Sequence, residues 1–493
     1  MAENFIDIYD EFMARLRPYQ PLSIVEAAQR SLNRKFSSRV DELRQIPWQT
    51  LLIVKWALQD HTTDGSVRKP VSDNDFHELK QFLYSSSDRI ARHSGMPLHL
   101  FFRRLVHPQI PFQRQFTLGF MREAALIDAL PGNHRLRRQF QDRLHLTPQQ
   151  FLDLSFVTYT AVIDGRLSVP FAWYEPVRKG VGDTALRTFY DLVSRNFDEL
   201  RTYCRSLPDQ SPHVASEYFE TTPFRRYPFF RRAGSLECWH PMVFFRGMEG
   251  LVHFVLSEAG ADYTQPFSDV FENHIVREVF SVGAAAYREE HLAKFLGRNS
   301  KVPDALLGFP QANVFVESKA GLFDESIMTI GTSERLSNDT RFLRKAITQG
   351  WAASTGLRQN PAAPEQVRNA PVDYLLIVTN RDLEASRGTR LKDMYPEGKL
   401  DYPSDQAAKY LPLERIYILS VDEFERLISA ARLKKISIPD FLAKCVKDDS
   451  DPNTAAYFFE MHLTRNNIER GWSPLVVEAM EQAEQRIVPL LSE

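Results

Sequence analysis

The spacing of the apolar residues changes near residue 260, and this change constrains the fold more than any other feature of the sequence. Before it, apolar residues recur three and four positions apart, which is typical of amphipathic helices. Thr147-Pro148 has the pattern of a helix start, a capping residue followed by proline. We therefore predict a mostly helical N-terminal region over residues 1–260. Its clearest helical segments are residues 23–32, 48–59, 75–83 and 184–203.

Beyond residue 260, short apolar runs alternate with helical patterns, which indicates an α/β domain with a mixed sheet. We predict this domain over residues 261–432 and a helical C-terminal extension over residues 433–493. The predicted strands are residues 302–307, 314–319, 372–379 and 416–421, and the predicted helices are residues 266–281, 337–356 and 422–431.

The composition is that of a globular protein, with 43% hydrophobic and 25% charged residues. The formal net charge of −2 gives no overall sign of a nucleic-acid partner. The three cysteines, Cys204, Cys238 and Cys445, have no spacing typical of a disulfide framework or a zinc site. The acidic N-terminus does not resemble a signal peptide, and no apolar run approaches the roughly 20 residues that span a bilayer. We expect a cytoplasmic protein that does not contact membranes.

Three ionisable residues are predicted to converge on one strand pair. If the runs at 302–307 and 314–319 form a hairpin that turns at residues 310–311, Asp304 lies opposite Glu317. Because side chains alternate along a strand, Glu317 and Lys319 share a face. Two opposed carboxylates repel each other, and a divalent cation such as Mg²⁺ removes that repulsion. A lysine beside them can orient or deprotonate the attacking water and steady a phosphate. The alternative is an aspartate that caps a turn beside an exposed edge strand.

These residues resemble the PD-(D/E)XK, or restriction-endonuclease-like, nuclease superfamily over about residues 265–425. The similarity lies in Pro303-Asp304, in Glu317-Ser318-Lys319 and in Glu272 on the preceding helix. It implies an α+β or α/β fold with an αβββαβ core and a mixed central sheet. It also implies that Glu272, Asp304, Glu317 and the Ser318 carbonyl bind the metal and that Lys319 is catalytic.

Many members of the superfamily carry a glutamine on the helix after the motif, and Gln349 occupies a comparable place. The tyrosine that follows it in the RecB-like branch is absent, since Ala353 stands there. The resemblance implies an Mg²⁺-dependent endonuclease, with Mn²⁺ as a substitute cofactor and DNA favoured over RNA. Large single-chain members of this kind resemble anti-phage or mobile-element defence proteins. A homodimer and a phage-derived or partner-protein trigger are further expectations.

Two other functions remain open at this stage: a nuclease fold that has lost turnover and only binds DNA or a partner protein, and a ribonuclease. A second candidate contact surface is the segment 222–232, which interleaves arginines with aromatic residues. Its arginines either contact nucleic acid or face water while the rings pack inside. These arginines are Arg225, Arg226, Arg231 and Arg232. Glu289-Glu290 is either an extra metal ligand or a solvated helix end, and the second interpretation is favoured.

Overall fold

A computed structural model of the chain describes residues 5–34, 38, 40, 45–63, 67–91, 97–113, 118–207, 213, 215–297, 301–321, 325–468 and 471–491. The chain forms two compact units. The first comprises Met1–Gly95, Arg104–Glu258 and Glu478–Glu493, and the second comprises Met96–Arg103 and Ala259–Val477. The main division therefore falls two residues before the predicted boundary after residue 260. No helix within the described ranges is long and apolar enough to cross a membrane.

The first unit is mostly helical, and it also contains a small sheet that the sequence analysis did not predict. The sheet has the order β1-β4-β3-β2, from Ser168–Pro170 (β1), Ser194–Arg195 (β2), Phe229–Arg231 (β3) and Ser235–Cys238 (β4). Its α-helices are Phe5–Leu16, Pro21–Leu32, Pro47–Gln59, Asp73–Ala91, Ile110–Gln113, Arg122–Asp128, Arg135–Leu144, Pro148–Ile163, Glu175–Val181, Asp183–Val193, Phe197–Ser206 and Pro241–Ser257.

Local sequence signals explain several of these boundaries. Thr147 and Gln150 form a reciprocal capping box at the start of Pro148–Ile163, which confirms the predicted helix start. The helix predicted over residues 184–203 is instead two helices. The chain leaves the first helix to pair Ser194–Arg195 in parallel with β3, and Asn196 then caps the next helix.

The second unit is built on a five-stranded sheet of order β5-β6-β7-β8-β9. The strands are Ala285–Arg288 (β5), Ala305–Phe309 (β6), Ala312–Lys319 (β7), Val372–Thr379 (β8) and Ile416–Ser420 (β9). The first three strands pair antiparallel, and the last three pair parallel. Its helices are Ala261–Phe280, Glu289–Leu296, Ser333–Asp339, Arg341–Gln359, Glu365–Asn369, Gly388–Met394, Asp405–Tyr410, Val421–Arg432, Ile438–Asp449 and Phe459–Arg465. Two further helices, Leu98–Val106 and Pro474–Leu491, cross the division between the units.

The hairpin register agrees with the sequence prediction. Ala305 pairs with Val316 and Phe309 with Ala312, so the turn falls at residues 310–311 and Asp304 comes opposite Glu317. Several features differ from the prediction: β6 begins three residues later, β7 begins two residues earlier, and β5 was not predicted. β5 is a short edge strand with an exposed or half-buried pattern, which carries little apolar signal.

Helices cover both faces of this sheet. Arg341–Gln359 packs on β7 and β8 over a core that includes Phe315 and Leu375. Gly350 permits this close approach, because a Cβ there would lie 2.7 Å from Leu375 Cδ2. Ala261–Phe280 and Val421–Arg432 pack on the sheet from the other side. The predicted C-terminal extension is not a separate unit, since residues 433–477 pack with this sheet and residues from 478 belong to the first unit.

Candidate active site

Three carboxylates from three different elements converge at one end of the five-stranded sheet. Glu272 lies on the helix Ala261–Phe280, Glu289 begins the helix after β5, and Asp304 immediately precedes β6. Each offers an oxygen atom, and these oxygens all lie within 4.8 Å of one another. The strand register produces this meeting, because Arg288 pairs with Ala305 and the Glu289 N–H then donates to the Asp304 carbonyl at 3.0 Å.

Glu317 and Lys319 lie beside this cluster on β7. The Glu317 side chain is only 1% exposed, and its Oε1 accepts a hydrogen bond from the Lys319 ammonium. Its other oxygen, Oε2, is buried and has no hydrogen-bond partner among the described residues. A buried carboxylate oxygen without a partner destabilises the folded protein. A cation or a hydrogen-bond donor from outside the chain would compensate Oε2 of Glu317.

Ser318 holds Asp304 in place. Both the Ser318 N–H and the Ser318 hydroxyl donate to Oδ2 of Asp304, each at 2.6 Å. The resemblance implies a metal-binding role for the Ser318 carbonyl, and that role stays a prediction. The observed role is positional: the strand that carries Glu317 and Lys319 also orients the aspartate opposite them.

The electrostatics of the cluster favour a bound cation. Burial, followed by the charge of Asp304, raises the pKa of Glu317 to about 7, although Lys319 opposes the rise. Burial and the charges of Asp304 and Glu289 raise the pKa of Glu272 to about 7 as well. Carboxylates in this arrangement resist ionisation together, and a divalent cation relieves the repulsion. The donor set consists of oxygen atoms only, which suits Mg²⁺ or Mn²⁺.

Both interpretations of Glu289-Glu290 stay open for Glu289. Its side chain is exposed, as expected at a helix start, yet it belongs to the cluster with Glu272 and Asp304. The run 285–288 directly before this acidic pair has no clear apolar alternation, so the sequence contains no signal for the place of Glu289.

The other predicted contact residues lie elsewhere. Gln349 is on the helix Arg341–Gln359, and its side-chain amide donates to the Val302 carbonyl at 3.4 Å, two residues before Asp304. The arginines of the segment 222–232 all belong to the first unit. The structure thus brings Glu272, Asp304, Glu317, Ser318 and Lys319 together, and it does not bring Arg225, Arg226, Arg231 or Arg232 into the same unit.

Most of these arginines already have partners within the chain. Arg231 contacts the carboxylates of Asp191 and Glu199. Arg232 is 3.4 Å from a Glu26 oxygen, and Arg226 donates to the Leu192 carbonyl at 3.1 Å. The aromatic residues of the segment are buried, as one of the two interpretations had it, but these three arginines bind protein groups rather than only water. The Arg225 carbonyl oxygen packs against Gly247, and a Cβ at position 247 would lie 2.3 Å from that oxygen.

Comparisons with known proteins give no independent guide to this site. The sequence matches no protein-family model and no curated protein, and no solved structure matches the chain.

Proposed function

We propose that the protein is a metal-dependent nuclease that hydrolyses phosphodiester bonds in nucleic acid. One observation carries the proposal: a cluster of three carboxylates lies beside a buried glutamate with an unpartnered oxygen and a lysine two residues further along the same strand. The charge of Lys319 acts on Glu272, Glu289 and Glu317. The cluster thus combines repelling acids, a lysine and an all-oxygen donor set.

The order of the elements supports the resemblance to the PD-(D/E)XK superfamily. A helix bearing Glu272 precedes three antiparallel strands, a long helix and a parallel strand, with the helix Glu289–Leu296 inserted after the first strand. DNA is the favoured substrate and anti-phage or mobile-element defence the favoured role, both by this resemblance. Cleavage by a dimer and activation by a phage-derived or partner-protein trigger are parts of the same proposal.

Each residue has a distinct part in the proposed reaction. Glu272, Glu289, Asp304 and Glu317 would hold Mg²⁺ or Mn²⁺, and Ser318 keeps Asp304 in position. A divalent cation bound there supplies positive charge to the phosphate and lowers the pKa of water. The Lys319 ammonium, oriented by Glu317, can donate hydrogen bonds to the attacking water and to a phosphate oxygen that gains negative charge.

A cleavage panel tests the proposal. Linear and circular double-stranded DNA, single-stranded DNA and RNA are incubated with Mg²⁺, Mn²⁺ or EDTA, with and without phage-infected lysate as a source of trigger. We expect metal-dependent cleavage that falls by about 10²- to 10³-fold in Lys319→Ala, since the substitution removes a hydrogen-bond donor to the charge that develops on the phosphate. Lys435→Ala, which removes an exposed lysine of the same unit, is the matched control.

The alternatives give different outcomes of the same panel. Cleavage confined to RNA identifies a ribonuclease, and cleavage that survives both Asp304→Ala and Glu317→Ala rejects the site. Titration calorimetry with Mn²⁺ separates a silent binding module from an enzyme that lacks its trigger. In a silent binding module, Glu317→Ala should leave Mn²⁺ binding unchanged. In an enzyme that lacks its trigger, Glu317→Ala should abolish Mn²⁺ binding.

A further inference from the structure

A groove on the second unit, lined by Lys301 and by the helix Arg341–Gln359, concentrates positive charge. Its volume is about 700 Å³, within the range of ligand-binding clefts. Four cationic side chains line it, Lys301, Arg341, Arg344 and Lys345, together with the polar Thr348 and Gln349. Leu296, Ala352 and Gly356 supply the apolar part of its lining.

The helix Arg341–Gln359 presents most of this charge on one face. Arg341, Arg344, Lys345 and Thr348 follow the spacing i, i+3, i+4, i+7, so they lie side by side along the helix. The opposite face, with Leu343, Ala346 and Ile347, is buried in the core. The lining runs from Arg341 to Gly356, about 22 Å at 1.5 Å per residue. A groove of this length suits a chain of phosphates better than a single one.

The four cations have no acidic partners within the part of the chain that the structure describes. No described carboxylate forms an ion pair with Lys301, Arg341, Arg344 or Lys345. The Nε atom of Arg344 is buried without a hydrogen-bond partner there. Like charges that are grouped without counter-charges repel each other, and an anionic ligand converts that repulsion into binding energy.

Two links join the groove to the acidic cluster. Lys301 is three residues before Asp304, and the Gln349 side chain bonds the Val302 carbonyl between them. In addition, Glu317 projects from the sheet face that this helix covers, because it alternates in phase with Phe315 in the core beneath the helix. Glu317 therefore lies on the side of the sheet that is covered by the groove's helix.

We infer that this groove binds the phosphate backbone of a nucleic-acid strand and leads it to the acidic cluster. The inference rests on the proposed function for the position of cleavage, but the binding itself is independent of turnover. It adds a candidate contact surface on the second unit to the segment 222–232 of the first unit, whose role stays a prediction.

The test measures binding and hydrolysis separately. Anisotropy of fluorescein-labelled 30-nucleotide DNA and RNA is recorded in EDTA over a series of salt concentrations. We expect Arg341→Ala/Lys345→Ala, two exposed positions, to weaken binding about tenfold. The slope of log affinity against log salt should become less steep by about one to two, because a variant that contacts fewer phosphates releases fewer counterions. Lys435→Ala/Lys447→Ala removes two exposed lysines outside the groove and should leave both quantities unchanged.

Hydrolysis of bis(p-nitrophenyl) phosphate with Mn²⁺ provides the second measurement. This small diester does not need the groove, so the double groove variant should hydrolyse it like the wild type while its KM for nucleic acid rises at unchanged kcat. Nucleic-acid binding through the groove without any hydrolysis would reject the proposed function and leave this inference standing. An unchanged affinity and salt slope in the groove variant, or wild-type protein that binds no nucleic acid, would overturn it. Competition by a mononucleotide at far lower concentration than by the strand would also overturn it, because it would identify a small-ligand pocket.

Discussion

Asp373 and Glu317 are buried carboxylates on neighbouring strands of one sheet, and the chain satisfies only the first. Asp373 accepts hydrogen bonds from Arg358 at 2.6 and 3.0 Å, from Ser354 at 2.5 Å and from Asn313 at 2.9 Å. Glu317 has Lys319 on one oxygen, and among the described residues it has nothing on the other. Asn313, which is paired in register with Asp373, is four residues from Glu317, about 13 Å along β7.

The difference separates a carboxylate that the chain itself compensates from one that it compensates only in part. Burial raises the pKa of Asp373, and the Arg358 hydrogen bonds oppose that rise, so the protein itself supplies the compensation. At Glu317, burial also raises the pKa, and the next largest cause is the negative charge of Asp304, which raises it further. A site that the chain leaves electrostatically incomplete is one that an added cation can complete.

The largest expected effect concerns the cation beside each carboxylate. Arg358→Met leaves Asp373 buried without its counter-charge and should lower the free energy of unfolding by about 3–5 kcal/mol. Lys319→Met should cost less than about 1 kcal/mol, because Lys319 is partly exposed and Glu317 can take up a proton near neutral pH. Urea unfolding of both variants at pH 7 in EDTA checks the pair. Equal losses would show that the two carboxylates have the same role.

A smaller effect follows from the raised pKa of Glu317. Its pKa is about 7 in the folded protein and near 4.5 in the unfolded chain, so the folded state binds the proton more tightly. The stability that this proton provides is present below pH 4.5 and is lost as the pH rises through 7. In EDTA, Glu317→Gln should therefore gain on the order of 3 kcal/mol relative to the wild type between pH 4.5 and pH 8. The exposed Glu290→Gln is the control, and a difference that does not change with pH would contradict the assignment.

The smallest effect concerns the residue that orients Asp304. Ser318→Ala removes the hydrogen bond from the Ser318 hydroxyl to Asp304 and keeps the one from the Ser318 N–H. The loss should lower the free energy of unfolding by about 1–2 kcal/mol. It should also weaken Mn²⁺ binding about tenfold, since a group that orients a metal ligand affects affinity without contacting the metal. Thermal unfolding and Mn²⁺ calorimetry measure the two effects. A stability loss at unchanged Mn²⁺ affinity would limit Ser318 to a structural role, and Ser354→Ala beside Asp373 is the variant expected to behave that way.

Part of the candidate site follows from local sequence. The hairpin register needs only two apolar runs and a short turn, so the opposition of Asp304 and Glu317 was predictable. The basic face of the helix Arg341–Gln359 is also visible in the sequence at helical spacing, although on this helix only Gln349 was predicted to contact nucleic acid. β5 and the place of Glu289 were not predictable to the same degree, because an exposed edge strand lacks a clear apolar pattern.

The sequence by itself determined the change from helical to mixed architecture near residue 260, the strand pair that carries Asp304, Glu317 and Lys319, and the helix that bears Glu272. Periodicity and turn chemistry act over a few residues, so they can be read directly. Only the tertiary structure decided which charges are neutralised within the chain. Arg231 meets Glu199 from 32 positions away, whereas the cations of the groove meet no described carboxylate. Such pairings depend on where distant segments come together, and the order of residues does not contain that information locally.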